Sequence, residues 1–171
     1  AVPLETLQQR PSKVSYFQEQ YANMRRGIVE HPYRIDASNV GDLDPMDFVF
    51  LAMDAGSAKR SIAERLEAQG IPFIDAGIGV ELADDTLRGI VRVTTSTTDR
   101  RDAFHQRVPL ADREEDEAYD TNIQIADLNS LNAALAVIKW KKLIGFYQDT
   151  DRETSTVYAL GGNCLINEDQ L

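Results

Sequence analysis

Asp54 is the residue of this chain whose setting most directly implies chemistry. It stands just past Phe48 to Met53 (FVFLAM), an apolar run of strand length. A strand buried on both faces reads as such a run. Open α/β sheets bind ligands in the crevice beyond the carboxyl ends of their strands. A carboxylate placed there points toward nucleotide chemistry, with a helix cap as its structural alternative. Lys59 follows five positions on and divides between a site residue and a surface cation pairing with Glu64 or a nearby acid. Asp75 lies inside a second apolar segment. It is either exposed at a strand end, paired, or catalytic. Lys13 opens a helical segment, where a lysine by itself reads as a solvated cation. Cys164 (in GGNCLIN) reads as a buried or inert thiol. His31 and His105 have no Cys/His/Asp set at ligand spacing, so neither reads as a metal ligand.

The elements that must position these side chains are legible around them. Gly56 and Ser57 supply turn and N-cap chemistry. Ala58 to Gln69 reads as a helix, Gly70 stops it, and Ile71 to Ala76 begins a second strand. A strand, helix and strand in one sheet imply a parallel pair and a right-handed crossover. Upstream, Ser12 can cap a helix from Lys13 to Arg26, packing through Tyr16, Phe17, Ala22 and Met24 and stopped by Gly27. Ile28 to Ile35 alternates like a strand, with Pro32 placing it at an edge. Asp42 to Pro45 reads as a turn. Leu87 to Thr95 (LRGIVRVTT) alternates and predicts a strand with one wet face and antiparallel neighbours. Residues 96–121 hold the acidic run DREEDEAYD and read as a long exposed excursion. Asn122 to Phe146 predicts the longest helix, capped by Thr121 or Asn122. Its stripe is Leu128, Leu131, Leu135 and Ile138, and its apolar girth implies burial on more than one side. Thr154 to Leu160 predicts a last strand, broken by Gly161 and Gly162. The expected class is α/β: a Rossmann-like mixed sheet, with a parallel βαβ unit plus antiparallel strands, flanked by helices.

Bulk properties narrow the function classes. The chain has 171 residues, 43% of them hydrophobic, enough for one globular domain with a core. Its net charge of −10 argues against nucleic acid as a partner. A lone cysteine excludes an internal disulfide framework and any Cys-rich zinc site. No apolar run spans a bilayer, so no membrane partner is expected and a cytoplasmic setting is the default.

Taken together, VFLAMD (49–54), Lys59, PFIDAGIG (72–79), LRGIVRVT (87–94), the 122–147 segment and PSKVSYFQEQYANM (11–24) resemble the ThiF/MoeB/HesA family, the ubiquitin-activating-type adenylyltransferases. The resemblance covers roughly Pro11 to Tyr147. It implies adenylation, with ATP and Mg²⁺, of the C-terminal glycine of a ubiquitin-like or sulfur-carrier protein. It also implies that Lys13 contacts nucleotide phosphates, that Asp54 holds Mg²⁺ or orients the triphosphate as the catalytic acid, that Lys59 occupies the family's basic position, and that the protein is a homodimer. Three departures stand out. The family's glycine-rich phosphate loop is absent, so a partial domain, inactive alone, is expected. Ala55 replaces the usual Asn, and Lys59 replaces an arginine and its planar fork. Residues 96–121 hold no cysteine for a thioester.

Two other classes stand beside that reading. One is a non-catalytic dimerisation or interaction module with a degenerate nucleotide site. The other is half of a dinucleotide-binding dehydrogenase, for which no Tyr/Lys or His/Asp acid–base set is found.

Overall fold

The computed structural model describes residues 4–111 and 125–167. The run DREEDEAYD and the cap candidates Thr121 and Asn122 therefore lie outside the described residues. The chain divides into two compact units, residues 1–35 and 36–171.

The first unit holds two helices, α1 (Leu4–Gln9) and α2 (Lys13–Ala22). Ser12 caps α2 as expected: its side chain accepts a hydrogen bond from the Ser15 amide at 3.1 Å. The helix ends earlier than Arg26, at an Asn23 cap, and buries none of its residues. Met24 is fully on the surface rather than packed. Residues 28–35 form no strand. Alternation gave them a strand-like pattern, but Pro32 removes a ladder donor and no strand among the described residues pairs with them.

The second unit carries a five-stranded sheet in the order β1-β2-β3-β4-β5. The turn expected at 42–45 is present, entered through a 3₁₀ turn, Val40–Leu43. It leads into β1 (Val49–Leu51), α3 (Ser57–Gln69) and β2 (Phe73–Ala83). Strands β1 and β2 are parallel, with Leu51 opposite Asp75. Gly70 closes α3 at φ +71°, a left-handed conformation that glycine adopts without a Cβ penalty. Strand β2 runs seven residues past the expected Ala76 and turns through Asp84 and Asp85, both at positive φ, into antiparallel β3 (Thr86–Ser96). That is the two-residue geometry whose twist suits a hairpin. Beyond the short helix α4 (Asp102–Arg107) and the long helix α5 (Ala126–Leu143), β4 (Ser155–Ala159) pairs with β3. A turn at Leu160–Asn163 then returns β5 (Cys164–Asn167) to the edge. The turn matches the expected break at Gly161–Gly162; β5 was not anticipated.

Alternation along β2 and β3 sorts the two faces of the sheet. Ile74 and Val93 meet Ala136 of α5, with Phe48, Ala76, Leu135 and Trp140 packed around them. The opposite face carries Phe73, Asp75 and Gly77 of β2, opposite Ser96, Thr94 and Arg92 of β3. Helices α3 and α4 cover it. Phe73 and Phe104 are both fully buried and meet edge to face at 4.9 Å. Full burial of such a ring stabilises by roughly 1.5–3 kcal/mol.

Two expectations change here. The excursion from residue 96 is not all exposed, because Asp102–Arg107 is helical and docks through Phe104. Helix α5 buries a single stripe, Leu128, Asn132, Ala136 and Lys139, and leaves Val137 and Ile138 outward. Two of the four buried positions are polar, which is why an apolar count misplaced the face.

Candidate functional site at the carboxyl end of β1

Strand β1 stops at Leu51, and the chain turns through Asp54 into the N-terminus of α3 at Ser57. Gly56, the N-cap, has φ 143° and ψ 179°, a region that is essentially glycine's own. Ser57 was expected to cap α3; instead it is the first helical residue. The first turn of α3 contains no acid. Asp54 is exposed, and no hydrogen bond or ion pair engages its carboxylate among the described residues. It does not serve as the helix cap.

Lys59 projects from the first turn of α3 into the sheet. Its Nζ lies 2.6 Å from Asp75 Oδ1, with the lysine 2% and the aspartate 0% exposed. The pairing of Lys59 with Glu64 at the surface is thereby replaced by a buried pair across the crossover, 16 residues apart in sequence. Asp75 takes the paired alternative, and its second oxygen accepts from Arg92 Nη2 at 3.3 Å. Arg92 also donates from Nη1 to the Arg107 carbonyl at 2.9 Å, joining β3 to the end of α4. Two cations therefore share one carboxylate.

Arg92 escaped the sequence reading because LRGIVRVTT was given one wet face. In the structure α4 covers that face, and Val91, Val93, Thr94, Thr95 and Ser96 are all buried. An arginine opposite a glycine, within a strand whose neighbour carries an acid two residues back, was the available signal.

Below this cluster, Glu67 accepts from Ser96 Oγ at 2.7 Å and meets His105 Nε2 at 2.9 Å. Arg101 donates to the Glu67 carbonyl at 2.9 Å. The carboxylate sits between serine and histidine, so the imidazole is not placed to take a serine proton. The set ties α3, β3 and α4 together. A second network joins Lys139 and Lys142 of α5 to Asp149 and Glu153, with Lys142 2.7 Å from Glu153. A polar cleft of about 390 Å³ opens beside α4, lined by Asp99, Arg100, Asp102, Gln106, Arg107 and Thr154.

Lys13 is the first residue of α2, in the N-terminal unit, and is exposed. Cys164 is a free, exposed thiol on β5 rather than a buried one, because β5 is an edge strand. His31 meets Tyr33, and no group of three metal-ligating side chains exists among the described residues. A single open carboxylate is nonetheless compatible with Mg²⁺, which typically takes one or two carboxylates and completes its shell with phosphates and water. No described helix is long and apolar enough to cross a membrane.

Neither the known protein-family models nor the curated proteins contain a match to this chain. Among solved structures, the crystal structure of selenomethionine PaaA is similar, with a TM-score of 0.56 at 15% identity. The likeness is one of fold. It covers 90% of this chain and 54% of PaaA, so the chain spans about half of that protein's length. The α/β class and the mixed sheet, parallel at β1–β2 and antiparallel elsewhere, stand on this likeness and on the strand pairing.

Proposed function

We propose that this chain is the acid-bearing part of an ATP-dependent adenylyltransferase of the ThiF/MoeB/HesA type. It would activate the C-terminal carboxylate of a ubiquitin-like or sulfur-carrier protein. The observation that carries the reading is Asp54: an exposed carboxylate, unpaired among the described residues, where the parallel pair β1–β2 opens toward a helix N-terminus. Bound there, Mg²⁺ and ATP would supply an electrophilic α-phosphate and a leaving pyrophosphate. Asp54 would hold the metal and orient the triphosphate. Lys59, committed to Asp75, would act on the nucleotide only through the charge it adds beneath the crevice. With no cysteine in residues 96–121, the reaction would stop at the acyl-adenylate or hand it to another nucleophile.

The test is ATP–pyrophosphate exchange by the intact protein with Mg²⁺, scanned over proteins ending in glycine, beside Asp54→Ala. Exchange with one carrier that disappears in the variant supports the reading. Exchange undiminished by Asp54→Ala refutes the site.

A second reading, a dimerisation or interaction module, is favoured by one surface. Val137, Ile138, Ile144 and Phe146 stand exposed on and just beyond α5. A second copy of the chain is the partner proposed for it, and sedimentation of wild type against Ile138→Glu decides whether the face is used.

A further inference from the structure

Among the described residues, the buried cations Lys59 and Arg92 share a single carboxylate, Asp75. Asp75 is 0% exposed and pairs with both Lys59 and Arg92, whose side chains are 3% and 16% exposed. Two positive groups against one carboxylate leave one excess positive charge in a region largely closed to water. Buried charge is costly unless it is paired and hydrogen-bonded. The first turn of α3 adds its own partial positive end and contains no acid to offset it.

The donors of Arg92 are also incompletely used. Nη1 serves the Arg107 carbonyl and Nη2 serves Asp75. Nε is buried and has no acceptor among the described residues. Buried donors are nearly always satisfied, so an orphan of this kind calls for a missing partner.

Its position is informative as well. Arg92 lies directly opposite Gly77, and a Cβ on Gly77 would stand 2.8 Å from its Nη2. The missing side chain lets the guanidinium lie flat over β2. Gly77 is two residues beyond Asp75, which is itself level with the last residue of β1. Arg92 therefore stands past the carboxyl end of β1, on the crevice that the Asp54 turn borders.

We propose that Lys59, Asp75 and Arg92 form an oxyanion-binding site, in which Arg92 touches the anion and Asp75 positions both cations. The planar fork of a guanidinium matches phosphate and carboxylate alike. The anion is a nucleotide phosphate or the carboxylate to be activated. That identity, but not the site itself, rests on the function proposed above.

Inorganic phosphate and glycylglycine are titrated separately into the ¹⁵N-arginine-labelled chain, with chloride as control, following the Arg92 Nε resonance and the heat of binding. One of the two anions is expected to shift that resonance, and Arg92→Gln is expected to weaken its binding about tenfold or more. A response to phosphate alone assigns the nucleotide, and a response to glycylglycine alone assigns the carboxylate. No shift with either anion, or equal affinity in Arg92→Gln, overturns the proposal. If Arg92→Gln does not fold, Gly77→Ala keeps every charge and displaces the guanidinium, so unchanged affinity in that variant overturns it equally. Loss of exchange activity with anion binding retained would remove the adenylation reading and leave this site standing. Asp54-dependent exchange without anion binding at Arg92 would do the reverse.

Discussion

Replacing Lys59 by methionine tests the buried cluster from the side of stability. The substitution keeps the length of the side chain and removes its charge, so packing within α3 is preserved. Asp75 would then remain at 0% exposure with only Arg92, at 3.3 Å, to hold it. Removing one partner of a buried ion pair costs about 3–5 kcal/mol. The surviving Arg92 contact puts this case at the lower end, about 3 kcal/mol. For a domain of about 150 residues, each kcal/mol lowers Tm by roughly 2–4 °C, so the expected drop is roughly 6–12 °C. Urea denaturation followed by far-UV circular dichroism should show a lower midpoint at unchanged slope, because the surface exposed on unfolding is the same. Asp75→Asn should cost more, since it leaves two buried cations facing a neutral amide. The double variant Lys59→Met, Asp75→Asn should be less destabilised than the sum of the singles, because the two groups are in direct contact. A Lys59→Met variant within about 1 kcal/mol of wild type, or strict additivity in the double variant, would refute a coupled buried pair.

Three further outcomes are expected. Gly56→Ala forces a Cβ onto φ 143° and should lower stability by about 1–3 kcal/mol, read from the same urea midpoint. Burial pushes the Asp149 carboxyl up, but the Lys139 ammonium beside it and hydrogen bonds from its neighbours outweigh this and hold it below its ordinary value of 3.8. A depressed folded value means the stabilisation is complete above the unfolded value and is lost as pH falls through the folded one, so Asp149→Asn should flatten the stability profile below about pH 4. Cys164 is exposed on the sheet edge and should react with a thiol reagent in the native protein at a rate close to that in urea; strong native protection would place β5 differently.

The parts of the fold legible in the sequence were those fixed by local chemistry. The run Phe48 to Met53 gave the place of β1 but not its burial: the strand covers only Val49–Leu51 at one side of the sheet, and Phe50 is 44% exposed rather than covered on both faces. Gly70 gave the end of α3, because only a residue without a Cβ takes the left-handed cap freely. What escaped depends on what lies across space. Residues 28–35 and 87–95 both alternate, yet only the second finds paired neighbours. The face expected to be wet in β3 is roofed by α4, which lay inside a stretch read as a loop. Lys59 was left between a site residue and a surface cation, Arg92 fell on the face expected to be wet, and no local pattern announces that Asp75 lies inside to pair with both. The position of Asp54 after β1 was legible in the sequence, whereas the pairing of Lys59 and Arg92 with Asp75 required the sheet register.

Mn²⁺ in place of Mg²⁺ reports on the Asp54 site itself, because its paramagnetism broadens the amide resonances near wherever the metal sits. With ATP present, broadening is expected only at residues around Asp54 and the start of α3, and is expected to be lost in Asp54→Asn. Broadening that persists in that variant, or that centres on the acidic run at residues 112–120 instead, would contradict a nucleotide–metal site at the end of β1.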